Sequence, residues 1–441
     1  MQKKVLGAAM AGHIVESFDF VIYGYSATIL ARNFFPGADP AVGILSTLAI
    51  YGIAFVVRPL GAAVFGSMGD RAGRRAALCT VVLIMAVSTA AIGILPTYGS
   101  LGIAAPVLLL LCRLAQGMSI GAEYTSAASY VMEQAPPQRR ARWISAVGSA
   151  TFIGSALAVF LLLGLQLSSS AAYESWTWRV PFLVGGVMAL IGLYLRLRLE
   201  ESRTFTALAE RGETTTTPVR DSVRNWRVFL LLLAVFSLLA VVVQNFLGYL
   251  PTYLTVTAGL TPVTVLVASG IALVLCTGLS LLTGVLADRF GRKPVLVAGV
   301  VVAVLGSVPA YVIATGGSLV TTVLAEVLLV LPAALVGMTA TVIAVELVPP
   351  RIRATSTALT YNLGYAVFGG TAPLVGALLT AQFGRLAPGT YLTVVAALAL
   401  IVVIFALPET RHSSDDPHKE ETWHAGHREG PDRGRVPQAR G

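Results

Sequence analysis

Apolar runs of about 20 residues, each closed by a short polar interruption, recur twelve times along the chain, and few folds can accommodate them. The first six are Val5–Phe35, Ala41–Phe65, Ala76–Leu95, Leu101–Met132, Trp143–Ser168 and Trp178–Leu199. The second six are Val228–Thr257, Pro262–Leu286, Pro294–Ala314, Leu319–Val345, Ala354–Phe383 and Tyr391–Leu407. A hydrocarbon core about 30 Å thick is crossed by about 20 helical residues, so each run is read as a membrane span. A soluble fold would have to bury all twelve in a single core, which surface-to-volume scaling does not allow. Only 12% of the residues are charged, about half the share of a soluble domain. The expected class is an all-α, multi-pass membrane protein of twelve helices.

The net charge of +9 does not imply nucleic acid, because the basic residues sit in short clusters between the runs. Lys3, Lys4, Arg71, Arg74, Arg75, Arg139, Arg140, Arg142, Arg289, Arg292, Lys293, Arg351 and Arg353 all fall on one side when the helices alternate. The positive-inside rule makes that side, and both termini, cytoplasmic. Cys79, Cys112 and Cys276 lie within apolar runs and suggest neither a disulfide framework nor a metal site. The apolar stretch after Lys4 continues to Phe35, so it reads as an uncleaved first helix and not as a signal peptide.

The halves repeat. Gly66-Ser67-Met68-Gly69-Asp70-Arg71-Ala72-Gly73-Arg74-Arg75 follows the second run, and Gly284-Val285-Leu286-Ala287-Asp288-Arg289-Phe290-Gly291-Arg292-Lys293 follows the eighth. Glu133 with Pro136-Pro137 follows the fourth run, as Glu346 with Pro349-Pro350 follows the tenth. A parallel duplication of this kind is typical of secondary transporters whose site lies between the halves. The expected organisation is an N-terminal six-helix bundle over residues 1–200, a polar cytoplasmic linker over 201–226, a second bundle over 227–410, and a disordered tail over 411–441.

The decapeptide at Gly284–Lys293, repeated with departures only at Met68 and Gly69, resembles the loop motif of the major facilitator superfamily. Arg113-Leu114-Ala115-Gln116-Gly117 resembles the R-x-x-Q-G motif of that family. Glu16-Ser17-Phe18-Asp19-Phe20, Arg58-Pro59-Leu60-Gly61, Gly121-Ala122-Glu123 and Phe368-Gly369-Gly370-Thr371-Ala372-Pro373 resemble its metabolite:proton symporter branch. That branch includes permeases for α-ketoglutarate, citrate, shikimate and proline/betaine. The resemblance implies the major facilitator fold in an inner cell membrane. It also implies a gating role for Gly66, Asp70, Arg71, Gly73 and Arg74 and for Gly284, Asp288, Arg289, Gly291 and Arg292, as a latch released when the halves rock.

Charges inside a membrane helix cost about 2.5–3.5 kcal/mol on insertion scales, so each needs a reason. Glu16, Asp19 and Tyr23 share one face of the first helix. At 1.5 Å per residue Asp19 lies about 20 Å from Val5, near mid-membrane. Asp19 reads as the carrier of a coupling proton, or as half of a permanent ion pair. Arg113 reads as a ligand for an anionic group or as a modulator of a neighbouring acid, with Gln116 on its face, and the resemblance adds a coupling role for it. Glu123 is a further coupling candidate. Gln244, Asn245, Tyr361 and Asn362 offer uncharged hydrogen-bonding groups for a substrate, although interhelical packing explains such residues equally well. Arg58 is read as snorkelling to the cytoplasmic interface, Arg179 as an interfacial anchor, and Glu326 as either structural or functional.

The expected function is proton-coupled import of a small organic acid or zwitterionic metabolite by alternating access. The expected partners are the substrate, the proton and membrane lipid, with no cofactor, metal, nucleic acid or obligate protein partner. A facilitator without proton coupling or an effluxer would share the fold. A membrane enzyme is disfavoured, because no nucleophile–base set or metal-ligand spacing is present.

Overall fold

The structure is a computed structural model that describes residues 2–37, 39–72, 74–121, 128, 131–132, 135–197, 218–348 and 352–411, with 2–5, 8–9, 66–72, 74–78, 120, 137, 195–196, 218–219, 221 and 354 described as backbone only. All of its regular elements are helical. In chain order the spans are α1 (Gln2–Tyr25, continued as Ala27–Phe34), α2 (Pro40–Phe65), α3 (Arg74–Ile94), α4 (Ala104–Ile120), α5 (Arg140–Ser168) and α6 (Val180–Leu197). They are followed by α7 (Trp226–Thr257), α8 (Pro262–Phe290), α9 (Arg292–Ala314), α10 (Leu319–Leu347), α11 (Thr355–Phe383) and α12 (Ala387–Ala406). Nine of the described helices are long and apolar enough to cross a membrane singly, and the two parts of α1 make a tenth span. The apolar parts of α3 and α4, Cys79–Ile94 and Ala104–Ser119, are shorter. Each occupies the position of an expected run.

Three departures from unbroken rods matter for the site. The run Val5–Phe35 is bent by 62° at Ser26, at the kind of Gly/Ser-containing step (Gly24, Ser26) where helices kink. In α7 the winding loosens to π-helix at Asn245–Tyr249 and again at Tyr253–Thr257, on either side of Pro251, which has no amide hydrogen for the helical ladder. In α11 a π-turn at Tyr365–Gly369 runs into Gly370. A departure of a different kind is the end of the expected linker, where Pro218–Arg224 forms a short helix. Ser222 there receives a hydrogen bond from the Ser356 hydroxyl of α11 at 2.7 Å.

The halves meet mainly through α5 against α8, α2 against α11, α5 against α10, and α1 against α7. At the second of these interfaces the backbones touch. A Cβ added at Gly370 would stand 2.7 Å from the Gly52 carbonyl oxygen and 2.9 Å from the Phe55 Cβ. Only glycine permits that approach.

Candidate functional site

A cavity of about 70 Å³ lies between the halves, walled by α1, α2 and α5 on one side and by α7, α10 and α11 on the other. Ligand pockets usually measure about 300–1,000 Å³, so this one is collapsed and has to expand to admit a metabolite. A second cavity of about 690 Å³ opens at the far ends of α1 and α7, lined among others by Tyr25, Arg32, Gln166 and Val256. It is large enough for a small solute and forms a vestibule at that face.

The charged wall of the central cavity is made by Glu16, His13 and Arg58. One carboxylate oxygen of Glu16 lies 3.2 Å from His13 Nδ1 and the other 3.8 Å from Arg58 Nη2. His13 Nε2 is in turn 2.6 Å from the Thr151 hydroxyl on α5. Arg58 is 3% exposed, and its guanidinium is stacked 4.2 Å from the Phe55 ring centroid, 4.7 Å from Phe20 and 5.9 Å from Tyr365. The snorkelling expected of Arg58 is therefore corrected. Aromatic faces from both halves hold the cation in the protein interior, where their quadrupoles attract it. A helical step from Phe55 to Arg58 and from His13 to Glu16 is the signal that sequence reading passed over.

Behind Phe20, Tyr23 and Tyr51 lies a second charged group, outside the cavity wall. Asp19 accepts hydrogen bonds from the Thr89 hydroxyl at 2.7 Å and from Gln116 Nε2 at 2.9 and 2.8 Å. Arg113 Nη1 stands 3.7 Å from the Asp19 carboxylate and donates to Gln116 Oε1 at 3.0 Å. Its guanidinium lies 4.2 Å from the Tyr23 ring centroid and 4.8 Å from Phe20. The Nε and Nη2 groups of Arg113 have no hydrogen-bond partner among the described residues. Arg113 is completely buried, so only part of the hydrogen-bonding capacity of this cation is met where it stands.

A model of the Major Facilitator Superfamily matches residues 9–371. The chain belongs to the major facilitator superfamily. Among its relatives, the inner membrane metabolite transport protein YhjE of Escherichia coli (strain K12) is 35% identical over 424 residues, covering 94% of this chain and 96% of the relative. The glycine betaine/proline/ectoine/pipecolic acid transporter OusA of Dickeya dadantii (strain 3937) is 33% identical over 425 residues, 91% of this chain and 83% of that one. Among solved structures, the proton:xylose symporter XylE bound to 6-bromo-6-deoxy-D-glucose superposes with a TM-score of 0.74 at 17% identity. The match covers 96% of this chain and 99% of that one, and shows the shared fold. The protein is thus a multi-pass membrane transporter of small molecules and not an enzyme.

In this member of the superfamily, the second copy of the loop motif binds the halves together at the face opposite the vestibule. Asp288, in the last turn of α8, accepts from the backbone N–H of Ala141 at 3.1 Å and of Arg142 at 3.2 Å, at the start of α5. A carboxylate at a helix N-terminus satisfies orphan amides and complements the helix dipole. Arg292 closes the network. It donates from Nη2 to Glu346 Oε1 at 2.7 Å and from Nε to Glu346 Oε2 at 3.0 Å, and lies 3.6 Å from Asp288. Gly291 turns the chain between α8 and α9 at φ +102°, a region open chiefly to glycine.

The segment after α12 docks on the same network. Glu409 accepts from the backbone N–H groups of Arg292 at 2.9 Å and Lys293 at 3.0 Å, which begin α9, and from that of Arg411 at 3.0 Å. Partial burial works against its ionised form, but these three donors and the nearby Arg292 outweigh it and hold the Glu409 carboxyl below its ordinary range. The Thr410 hydroxyl donates to Glu346 at 2.6 Å.

The structure thus gathers Asp19, Arg113, Gln116 and Tyr23 in one cluster, and Glu16, Gln244 and Tyr361 around the cavity. Gln244 receives the Tyr51 hydroxyl at 3.0 Å. Asn245 lies away from the cavity wall, turned to the Tyr311 hydroxyl at 3.1 Å. Asn362 donates across the halves to the Gly121 carbonyl. Glu123 and Gly73 lie outside the described residues, and Gly66, Asp70, Arg71 and Arg74 are described as backbone alone. Arg289 turns its guanidinium over Phe290, while its carbonyl accepts from Arg411. Gly284, the first glycine of the second copy of the motif, packs against Ser145 of α5.

Proposed function

We propose that this transporter imports a small zwitterionic or carboxylate metabolite together with a proton. The observation that carries the reading is the placement of opposite charges and aromatic rings around one small cavity between the halves. Glu16 and Arg58 offer an anionic and a cationic contact 3.8 Å apart, and Phe20, Tyr51, Phe55, Tyr361 and Tyr365 supply aromatic faces suited to a cationic headgroup. The named substrates of the relatives, betaine and proline among them, are small molecules carrying both charges, which supports the same class.

The Asp19 cluster supplies the proton site in this reading. Burial without solvent leaves the carboxylate dependent on Gln116, Thr89 and Arg113 for its stabilisation. Protonation removes its charge and frees Arg113 to turn toward a substrate anion, so proton and substrate reinforce one another's binding. Rocking of the halves about the collapsed cavity then exposes the site to each face in turn.

The test is uptake into proteoliposomes under an imposed pH gradient, with labelled betaine, proline and a panel of carboxylates. Accumulation abolished by a protonophore and by Asp19→Asn supports symport and names the substrate class. Equilibration without accumulation, unaffected by the gradient, would leave a facilitator. Protection of cells from a toxic compound, with no uptake of any panel member, would leave an effluxer.

A further inference from the structure

The second half holds a buried carboxylate that neither charged cluster uses. Glu326, two turns into α10, is fully buried. One of its oxygens accepts from the Ser269 hydroxyl of α8 at 2.8 Å, and the other has no hydrogen-bond partner among the described residues. Among those residues no arginine, lysine or histidine forms an ion pair with it. The other titratable group that faces it is Tyr25 of α1, which itself lies near Tyr51. α5, α7 and α9 also pack on α10 but, among the described residues, bring no charged side chain to bear on Glu326.

The position of this cluster joins the halves at the vestibule. Tyr25 lines the vestibule, as do Val265 and Leu266, and Ser269 stands one turn from Val265 on the same face of α8. Tyr25 also ends the first part of α1, immediately before the 62° bend at Ser26. A carboxylate from the second half is therefore sealed from the vestibule by α8 and by an α1 side chain of the first half. An ionised carboxylate in that setting has one donor and no cation, which is a costly arrangement in a dry interior.

We propose that Glu326 is a second proton-binding site, and that its protonation is what permits Tyr25 and α8 to seal it from the vestibule. In the packing seen here, with the carboxyl sealed from the vestibule, Glu326 is the neutral acid, with its proton available to the otherwise unpartnered side of the site. When α1 draws away from α8, water of the vestibule reaches the carboxyl, the proton leaves to that water, and the ion is solvated. Re-closure requires a proton to be taken back from the same water. The vestibule is thereby biased narrower at low pH and wider at high pH. This inference rests on the alternating-access reading, but on neither the substrate nor proton symport at Asp19.

The test uses the full chain in the Asp19→Asn background, without substrate and without a gradient, so that proton coupling through Asp19 contributes nothing. Its three cysteines are replaced by alanine, and spin labels are placed at Gln166→Cys and Val256→Cys, on opposite walls of the vestibule. The expected result is a shift of the label distance from short to long as pH rises, and loss of that shift in Glu326→Gln. The companion measurement is the pH-difference infrared spectrum, in which a carboxylic-acid C=O band is expected to disappear with rising pH and to be missing altogether from Glu326→Gln. Should Glu326→Gln fail to reconstitute, Tyr25→Phe serves in its place and is expected to displace the midpoint of both titrations. Identical pH responses in the parent and in the variant measured, or no such band in the parent, overturn the proposal. Failure of gradient-driven uptake in the earlier experiment would leave this outcome untouched, and the reverse holds as well.

Discussion

Arg58 and Glu16 meet at 3.8 Å inside the membrane, on α2 and α1, with the arginine stacked on Phe55 and the glutamate shared with His13. Both are almost completely buried. The pair forms the polar side of a cavity whose remaining wall is largely aromatic and aliphatic.

Substitution of Arg58 by lysine is expected to weaken substrate binding although the charge is kept. An ammonium has no planar face for Phe55 and Phe20, and a desolvated cation–π contact is worth about 1–2 kcal/mol. Apparent affinity should fall roughly five- to thirtyfold by the same arithmetic. Binding measured in detergent by calorimetry gives the answer, and an unchanged Kd would remove Arg58 from the site.

Asp19→Asn should separate exchange from accumulation. The amide keeps the shape of the carboxyl, and its one oxygen can still accept from Thr89 and Gln116, but it gives up the second acceptor for Gln116 and cannot take up a proton. Counterflow of labelled against unlabelled substrate should persist, whereas uphill uptake driven by a pH gradient is lost. Equal loss of both would indicate damage to binding or folding instead.

Removal of the carboxylate at Asp288 is expected to loosen the contact between α8 and α5. The loss of a helix cap costs about 0.5–2 kcal/mol, and it falls on the state in which the halves touch at that face. In Asp288→Ala, thiol labelling of a cysteine introduced at Ser145, which packs against Gly284, should speed up by roughly two- to thirtyfold on the same energy scale. A labelling rate equal to that of the parent would show that the cap does not hold the halves together.

Acid should undock the segment after α12. The Glu409 carboxyl is held below its ordinary value in the folded chain, so the docking it supports is complete above about pH 4.3, the unfolded value. That support is lost as pH falls through the lower folded value. Proteolysis after Arg411 should accelerate in that window for the parent, and should be fast and insensitive to pH in Glu409→Gln. Equal rates in both chains at neutral pH would dismiss the cap at the start of α9.

The spans were legible because a membrane writes them directly into composition, one apolar run per crossing. The duplication was legible because each half carries its own copy of a charged loop, as at Gly66–Arg75 and Gly284–Lys293. Grouping of Asp19 with Arg113 and Gln116 was accessible only as separate suspicions, since three helices, α1, α3 and α4, have to be placed before the residues meet. The placement of Arg58 and His13 at the cavity was hidden for a different reason. Depth in a membrane can be counted along a helix, but which residues line a cavity depends on rotation against neighbours, and the aromatic rings around Arg58 come from α1, α2 and α11. The looser windings in α7 and α11 left no apolar signature at all.

The touching backbones of Gly52 and Gly370 set a limit on how the halves can move. Side chains interposed between two helices can compress, change rotamer or slide, whereas two main chains already in contact can do none of these. The halves cannot come closer at that point, and any approach at one face of the membrane has to be matched by separation at the other. The α2–α11 crossing is in that sense a fulcrum, and a methyl group placed on either glycine would act as a wedge beneath it.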